Sequence, residues 1–280
     1  MDGVNHGATT MTTELDVFQV DAFSDRPFAG NPAGVVPLQA WLPDAVMQSI
    51  AAEMNCAETA FFAPEEKTGE GDHYRIRWFT PTVEVKLCGH ATLASAHVLM
   101  QNDKTLQRVV FDSLSGPLSV AKAGPRLELD FPRHDVHPEP QSLGKVAACF
   151  DVKPVEMHVS ESYDAYLALY EKAADVERLE PDFVRLNALD RTVIVTARGD
   201  APGLDFVSRY FAPTAGIPED PVTGSSHCVL ATFWSRVLGK TEFHAHQVSK
   251  RHGELWLKLE GDRVKIEGHA VSVLKGKMRV

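Results

Sequence analysis

Two stretches of this chain carry one pattern. WFTPTVEVKLCGHATLASAHVL (78–99) and YFAPTAGIPEDPVTGSSHCVLATF (210–233) both open aromatic-Phe-x-Pro-Thr. Each then sets a Glu five residues before a Gly, Glu84 before Gly89 and Glu219 before Gly224, with three extra residues in the second copy between Thr and Glu. Each Gly opens a run of small and apolar residues of helical character. The likeness extends upstream, where TAFFAPEEKTGEGDHYRIRWF and TVIVTARGDAPGLDFVSRYF both read as strand, polar Gly-containing turn, strand. Repetition at a separation of more than 130 residues points to two duplicated halves and not to a solenoid.

The rest of the chain fits two strand-rich halves. LDVFQVDAF and NPAGVVPL are short β-type segments around the turn SDRPFAGNP. PDAVMQSIAAEMN has apolar residues at helical spacing after a Pro-Asp start, and RVVFDSLSGPLSVAKAGPRLELDFP is a run of strands with Gly-Pro turns. Pro-rich DFPRHDVHPEPQSL (130–143) is the natural crossing between halves. A helix in PEPQSLGKVAACFDV opens the second half, and LWLKLEGDRVKIEGHAVSVLKGKMRV closes the chain as a hairpin and a final strand. The expected division is therefore a first half over 15–131 and a second over 132–265, with about 266–280 returning to complete the first. A disordered tail is expected over 1–14. It lacks the basic and apolar regions of a secretory signal, and Met11 is a possible second start.

Both repeated helices, from Gly89 to about Leu99 and from Gly224 to about Trp234, are apolar nearly all round, so each belongs inside something. A barrel-like, mostly antiparallel sheet wrapped around each helix satisfies this, which makes the fold class α/β (α+β). The polar features then collect at the two helix N-termini, where unpaired N–H groups and the macrodipole attract an anion. Facing each other across a cleft, two such termini would hold a carboxylate, with acids standing ready at its edge.

Charge and cysteine usage narrow the partners. A net charge of −10 excludes the basic stripe of a nucleic-acid surface. With 280 residues, 44% hydrophobic and 24% charged, the chain reads as an ordinary soluble protein without a run of membrane-spanning length. Cys56, Cys88, Cys149 and Cys228 are widely spaced with no C-x-x-C pair, as expected of free thiols in a reducing cytoplasm. His244 and His246 would meet a metal only if they shared a strand face. No acid or cysteine stands beside them at ligand spacing, so no metal site is expected. GEGD at 69–72 reads as a turn and not as a nucleotide loop, and no cofactor is expected.

Five stretches in order carry a family resemblance over nearly the whole chain from Leu15: VDAFSDRPFAGNPAGVV, MNCAETAFF, RWFTPTVEVKLCGHATLASAHVL, YFAPTAGIPEDPVTGSSHC and QVSKRHGELWLKLEGDRVKIEGHA. Together they resemble the phenazine-biosynthesis PhzF-like proteins. The resemblance implies the diaminopimelate epimerase-like fold, two similar halves each built around a central helix. It also implies a metal- and cofactor-independent isomerase that moves a proton within a small, cyclic or unsaturated carboxylic acid, and a homodimer. Position by position, it makes Glu58 of CAETAFF the acid–base group, with His90 and Asp220 as its catalytic companions. Gly89, Gly224, Ser225, Thr223 and Asn31 become the substrate-binding set. A carboxylate in a dry cleft has its pKa raised, so it can take a carbon-bound proton and return it elsewhere. Glu84 and Glu219 read instead as structural partners of loop amides or of an arginine, and His97 as a satisfied core histidine.

Cys88 stands where related racemases carry the first of two thiols, at a helix N-terminus that would lower its pKa. The second place holds Pro221, and the next cysteine is Cys228, well into the helix. A lone thiol cannot perform a symmetric two-base racemisation, so Cys88 reads as structural or a bystander. The competing functions are a thiol-assisted amino-acid epimerase and a non-catalytic binding protein of the same fold.

Overall fold

The computed structural model of the protein describes residues 13–65 and 72–280. Most of the expected tail and of the GEGD turn lies outside the described residues, and Glu14 already belongs to the first strand. The first half runs β1 (Glu14–Ala22), β2 (Asn31–Pro37), α1 (Asp44–Met54), β3 (Glu58–Pro64), β4 (Asp72–Phe79), β5 (Glu84–Val85), α2 (Gly89–Asn102), β6 (Arg108–Ser113), β7 (Gly116–Ala123) and β8 (Arg126–Pro132). After β9 (His137–Pro138) and α3 (Leu143–Ala147), the second half runs β10 (Glu156–Ser160), β11 (Ala165–Leu169), α4 (Ala173–Arg178), α5 (Phe183–Asn187), β12 (Thr192–Arg198) and β13 (Phe206–Ala212). It continues with β14 (Ile217–Asp220), α6 (Ser226–Leu238), β15 (Glu242–Gln247), β16 (Gly253–Glu260) and β17 (Arg263–Gly268), and the chain ends in β18 (Ala270–Arg279).

The repeat seen in the residues is a repeat of strand pairings. In the first half β2 is antiparallel to β1 and parallel to β3, and β4 is antiparallel to β3 and β5 and parallel to β6, which opens the meander β6–β7–β8. Moved to the second half, the same order reads β10, β11, β12, β13, β14, β15, β16, β17, with every orientation kept. The parallel steps need crossovers. α1 supplies one and α4 with α5 its counterpart, while α2 and α6 fill the crossovers β4–β6 and β13–β15. The two halves join where their last meander strands, β8 and β17, pair antiparallel, and β18 lies antiparallel along β1. All 18 strands thus belong to one continuous sheet.

α2 and α6 are the two buried helices. From His90 to Ala96 every residue of α2 is buried, and so is every residue of α6 from Ser226 to Trp234. Ala91, Ala94 and Ala96 keep α2 slim enough for strands on all sides, and Leu93, Trp78, Phe111 and Phe131 fill the surrounding space. The hydroxyls inside these helices are satisfied by their own backbone: Thr92 donates to Cys88 O, Ser95 to Ala91 O and Thr232 to Cys228 O. Smaller clusters sit outside the sheet, under α1 (Met47, Ile50) and under α4 and α5 (Val176, Leu186). The second helix begins at Ser226, two residues later than the sequence suggests, because Gly224 and Ser225 form the turn that leads into it. Among the described residues no helix is long and apolar enough to cross a membrane, and all four cysteines are free and buried.

Candidate active site

Strand alternation decides where Glu58 points. Ala60 and Phe62 of β3 enter the core around α2, whereas Phe61 and Ala63 join the cluster under α1. Glu58 shares the inward face, at the strand's first residue, where the core gives way to a cleft. Asn31 is delivered in the same way at the start of β2, ahead of inward Ala33 and Val35. The chain reaches it through Gly30, whose φ is +67° and where a Cβ would lie 2.2 Å from Ala22 O, so only glycine fits. Arg251 locks this turn, donating to Gly30 O at 2.8 Å and to the Asp21 carboxylate at 2.8 Å.

The cleft has a volume of about 220 Å³. One wall carries Glu58, Cys88, Gly89 and His90, and the other carries Asp220, Thr223, Gly224 and Ser225. Val85, Leu87, Ala212 and Ile217 supply apolar surface, and Tyr163 and Tyr210 an aromatic side. Neither helix start has a side-chain oxygen cap, although His227 and Cys228 of α6 donate their N–H groups to Gly224 O and Ser225 O. Among the described residues lining the cleft there is no lysine or arginine. Positive potential there comes from backbone.

The glutamates of the repeat are set as anchors. Glu84 accepts both guanidinium N–H groups of Arg77, and Glu219 both of Arg209, at 2.7–2.9 Å. Arg209 also donates to Val176 O and Leu179 O, tying the β13–β14 loop to α4. These are the structural arginine pairs expected from the sequence. His97 is half-buried and not part of the core proper, in contact with Ser272 Oγ at 3.1 Å, and burial lowers its pKa to about 4.

Burial first and the charge of Asp220 second, opposed in part by the Cys88 thiol, together raise the Glu58 pKa to about 7. Asp220 is raised to about 6 by burial, opposed by hydrogen bonds from Thr223 and Asn31. His90 is pushed down to about 3 by burial alone and is neutral. Asn31 Nδ2 donates to Asp220 Oδ1 at 2.7 Å and to Val222 O at 2.9 Å, and faces His90 Nδ1 at 3.2 Å. Those two oxygens take both amide hydrogens of Asn31, and His90 Nδ1 also faces Cys88 Sγ at 3.4 Å; a thiol S–H directed at Nδ1 places the His90 proton on Nε2. That nitrogen lies 3.4 Å from Glu58 Oε2. The pair is too poorly aligned to bond, which leaves Glu58 Oε2 and His90 Nε2 buried without partners. Both atoms are shielded behind the cleft wall, so a ligand's polar atom reaches them only through a small side-chain movement.

Among the proposed binding groups, Gly89, Gly224, Thr223 and Ser225 line the cleft, while Asn31 stands fully buried behind Asp220 and holds it in place. Cys88 corrects an expectation. Its position at the helix start does not lower its pKa; burial and the neighbouring Glu58 raise it well above the usual thiol range. Cys228 is raised too, again by burial. Glu58, Cys88 and His90 bring three possible metal ligands within 4.8 Å of one another. Three contributors escaped the sequence reading. Tyr163 OH contacts Ser225 Oγ at 2.7 Å; Gln247 donates to Asp220 O at 2.7 Å and accepts from Thr223 N at 2.8 Å; and Glu254, across the β15–β16 hairpin and away from the cleft, joins His244 and His246. Tyr210, which also lines the cleft, did have a signal, as the aromatic that heads the second repeat.

The family model described as phenazine biosynthesis-like protein, PhzC-PhzF, matches residues 20–276. A curated relative from Pseudomonas aeruginosa, named as an uncharacterized isomerase, is 50% identical over 270 residues, which cover 95% of this chain and 99% of its own. The crystal structure of a PhzF-family protein from Enterococcus faecalis superposes with a TM-score of 0.86 at 40% identity, covering 96% of this chain and 100% of that one. A structure titled as a predicted epimerase from Pseudomonas aeruginosa has a TM-score of 0.73 at 22% identity over 94% of this chain and 99% of that one, a likeness of fold alone.

Proposed function

Since the chain belongs to the phenazine biosynthesis-like (PhzC-PhzF) family, we propose that it is an isomerase that moves a proton within a small, cyclic or unsaturated carboxylic acid, with Glu58 as the proton carrier. One observation carries this reading. Glu58 lines the cleft, keeps one buried carboxylate oxygen unpaired and has its pKa raised to about 7, so both protonation states are accessible near neutrality. The substrate carboxylate is held at the starts of α2 and α6, by the amides of Gly89 and Gly224 and by Ser225, which Tyr163 orients. Ionised Glu58 takes a proton from carbon, and the resulting negative charge spreads over the unsaturated acid toward the same amides. Protonated Glu58 then returns the proton to another carbon of the same molecule. His90 Nε2–H donates to a polar substituent and fixes the ring beside Glu58. Asp220, negative and hydrogen-bonded by Asn31 and Thr223, keeps the Glu58 pKa high. The proton carrier is a protein carboxyl, so the reaction as written calls on no organic cofactor.

The test is solvent exchange. Cyclic and unsaturated carboxylic acids that raise the thermal midpoint should be incubated with the protein in D2O and followed by NMR. A true substrate gains deuterium at the carbon that receives the proton. Binders that never exchange, across the whole panel, would make this a binding protein of the same fold.

A further inference from the structure

On β15, Phe243, Ala245 and Gln247 face inward, which turns His244 and His246 to the outer face together. Glu254 of β16 is the cross-strand partner of His246 and a diagonal neighbour of His244. Sheet register therefore supplies the acid that sequence spacing does not show. His244 Nε2 lies 2.6 Å and His246 Nε2 3.6 Å from Glu254 Oε1, and all three ligand atoms fall within 4.8 Å of one another. Ligand atoms on a tetrahedral zinc stand about 3.3 Å apart at the usual bond lengths, so small rotamer changes bring the three to bonding distance.

The surroundings hold the ligands in order. His244 Nδ1 faces Gly203 O at 3.2 Å, which sets Nδ1 as the donor and directs Nε2 to the site. The His244 ring stacks on Trp256, with centroids 5.0 Å and planes 7° apart. Each ligand side chain keeps a quarter to a third of its surface exposed, so an ion can enter.

From this geometry we infer that His244, His246 and Glu254 form a binding site for one divalent transition cation, zinc foremost, separate from the cleft. Two imidazoles and a carboxylate suit zinc and leave further coordination to water. On binding, the cation replaces the proton shared between His244 Nε2 and Glu254 Oε1, and that proton goes to solvent. The site sits behind the candidate active site: on the inner face Gln247 holds Asp220 and Thr223, and the Glu254 N–H donates to Phe23 O.

Untagged protein titrated with Co²⁺, then with Zn²⁺ in competition, tests the assignment. One equivalent of Co²⁺ should give visible bands of nitrogen and oxygen ligation without a thiolate charge-transfer band. His246→Ala and the milder Glu254→Gln should each weaken binding by about tenfold or more, since even outer-shell losses cost that much. Cys88→Ser should bind as the parent does. Absence of Co²⁺ binding, unchanged affinity in both variants, or a thiolate band abolished by Cys88→Ser would each overturn the site.

Discussion

Replacing Glu58 with Gln keeps the shape of the side chain and removes its exchangeable proton. Ligand binding in the cleft should survive, and turnover should fall by roughly 10²–10⁴-fold, the usual loss for a general acid–base. Asp220→Asn acts through a neighbour. Its negative charge raises the Glu58 pKa, so removing it should lower that pKa and move the acid limb of the pH–rate profile to lower pH, besides weakening binding. A profile that stayed in place would separate Asp220 from the titration of Glu58. At this scale the proposed catalytic groups were legible through the family resemblance, which names Glu58, His90 and Asp220, and all three line the cleft. Their supports were not. Asn31 was named only as a binding residue; it, Gln247 and Tyr163 act through hydrogen bonds to residues 189, 27 and 62 positions away, and nothing in local spacing records a partner at that distance. Cys88 shows the opposite failure: its helix position suggested a low pKa, and burial, which a sequence does not display, reverses the sign.

The two loops that carry the site are each clamped by an arginine, and the clamps differ in burial. Arg209 is 9% exposed and its Glu219 partner 20%; Arg77 is 20% exposed, its partners Glu84 and Asp44 28% and 76%. Breaking the first pair leaves a half-sequestered carboxylate and loses the tie to α4. Arg209→Leu should therefore cost about 3 kcal/mol and Arg77→Leu about 1 kcal/mol in chemical denaturation. Because Glu219 adjoins Asp220, Arg209→Leu should also raise KM more than Arg77→Leu does. Equal costs would mean that burial does not distinguish the clamps. Elements themselves were read well from the residues. The strand–turn–strand–helix order of each repeat is found at β3–β4–α2 and β12–β13–α6, because alternation and small-residue helical runs are local signals. The short α4 and α5 were missed, since helices of 6 and 5 residues give too few turns to show a period.

Duplication gives the whole molecule its cleft: two copies of one helix start, set in one sheet by β8–β17 and β1–β18, bring two sets of backbone amides and two carboxylates together. The gathering of acids has a thermodynamic sign. Glu58 rises from 4.5 to about 7 and Asp220 from 3.8 to about 6 on folding, so the folded state holds these protons more tightly than the unfolded chain. Groups raised in this way contribute stability that is complete below the unfolded pKa and is lost as pH climbs through the folded one. Unliganded protein should lose this contribution between about pH 4 and pH 8. Glu58→Gln does not titrate and removes the largest share of that loss. Near pH 4 the variant and the parent should unfold at similar denaturant concentrations. By pH 8 the variant should be the more stable, by about 2–4 kcal/mol, each pKa unit being worth about 1.4 kcal/mol. A difference that did not change with pH would show that Glu58 keeps an ordinary carboxylate pKa, and its place as the proton carrier would fall with it.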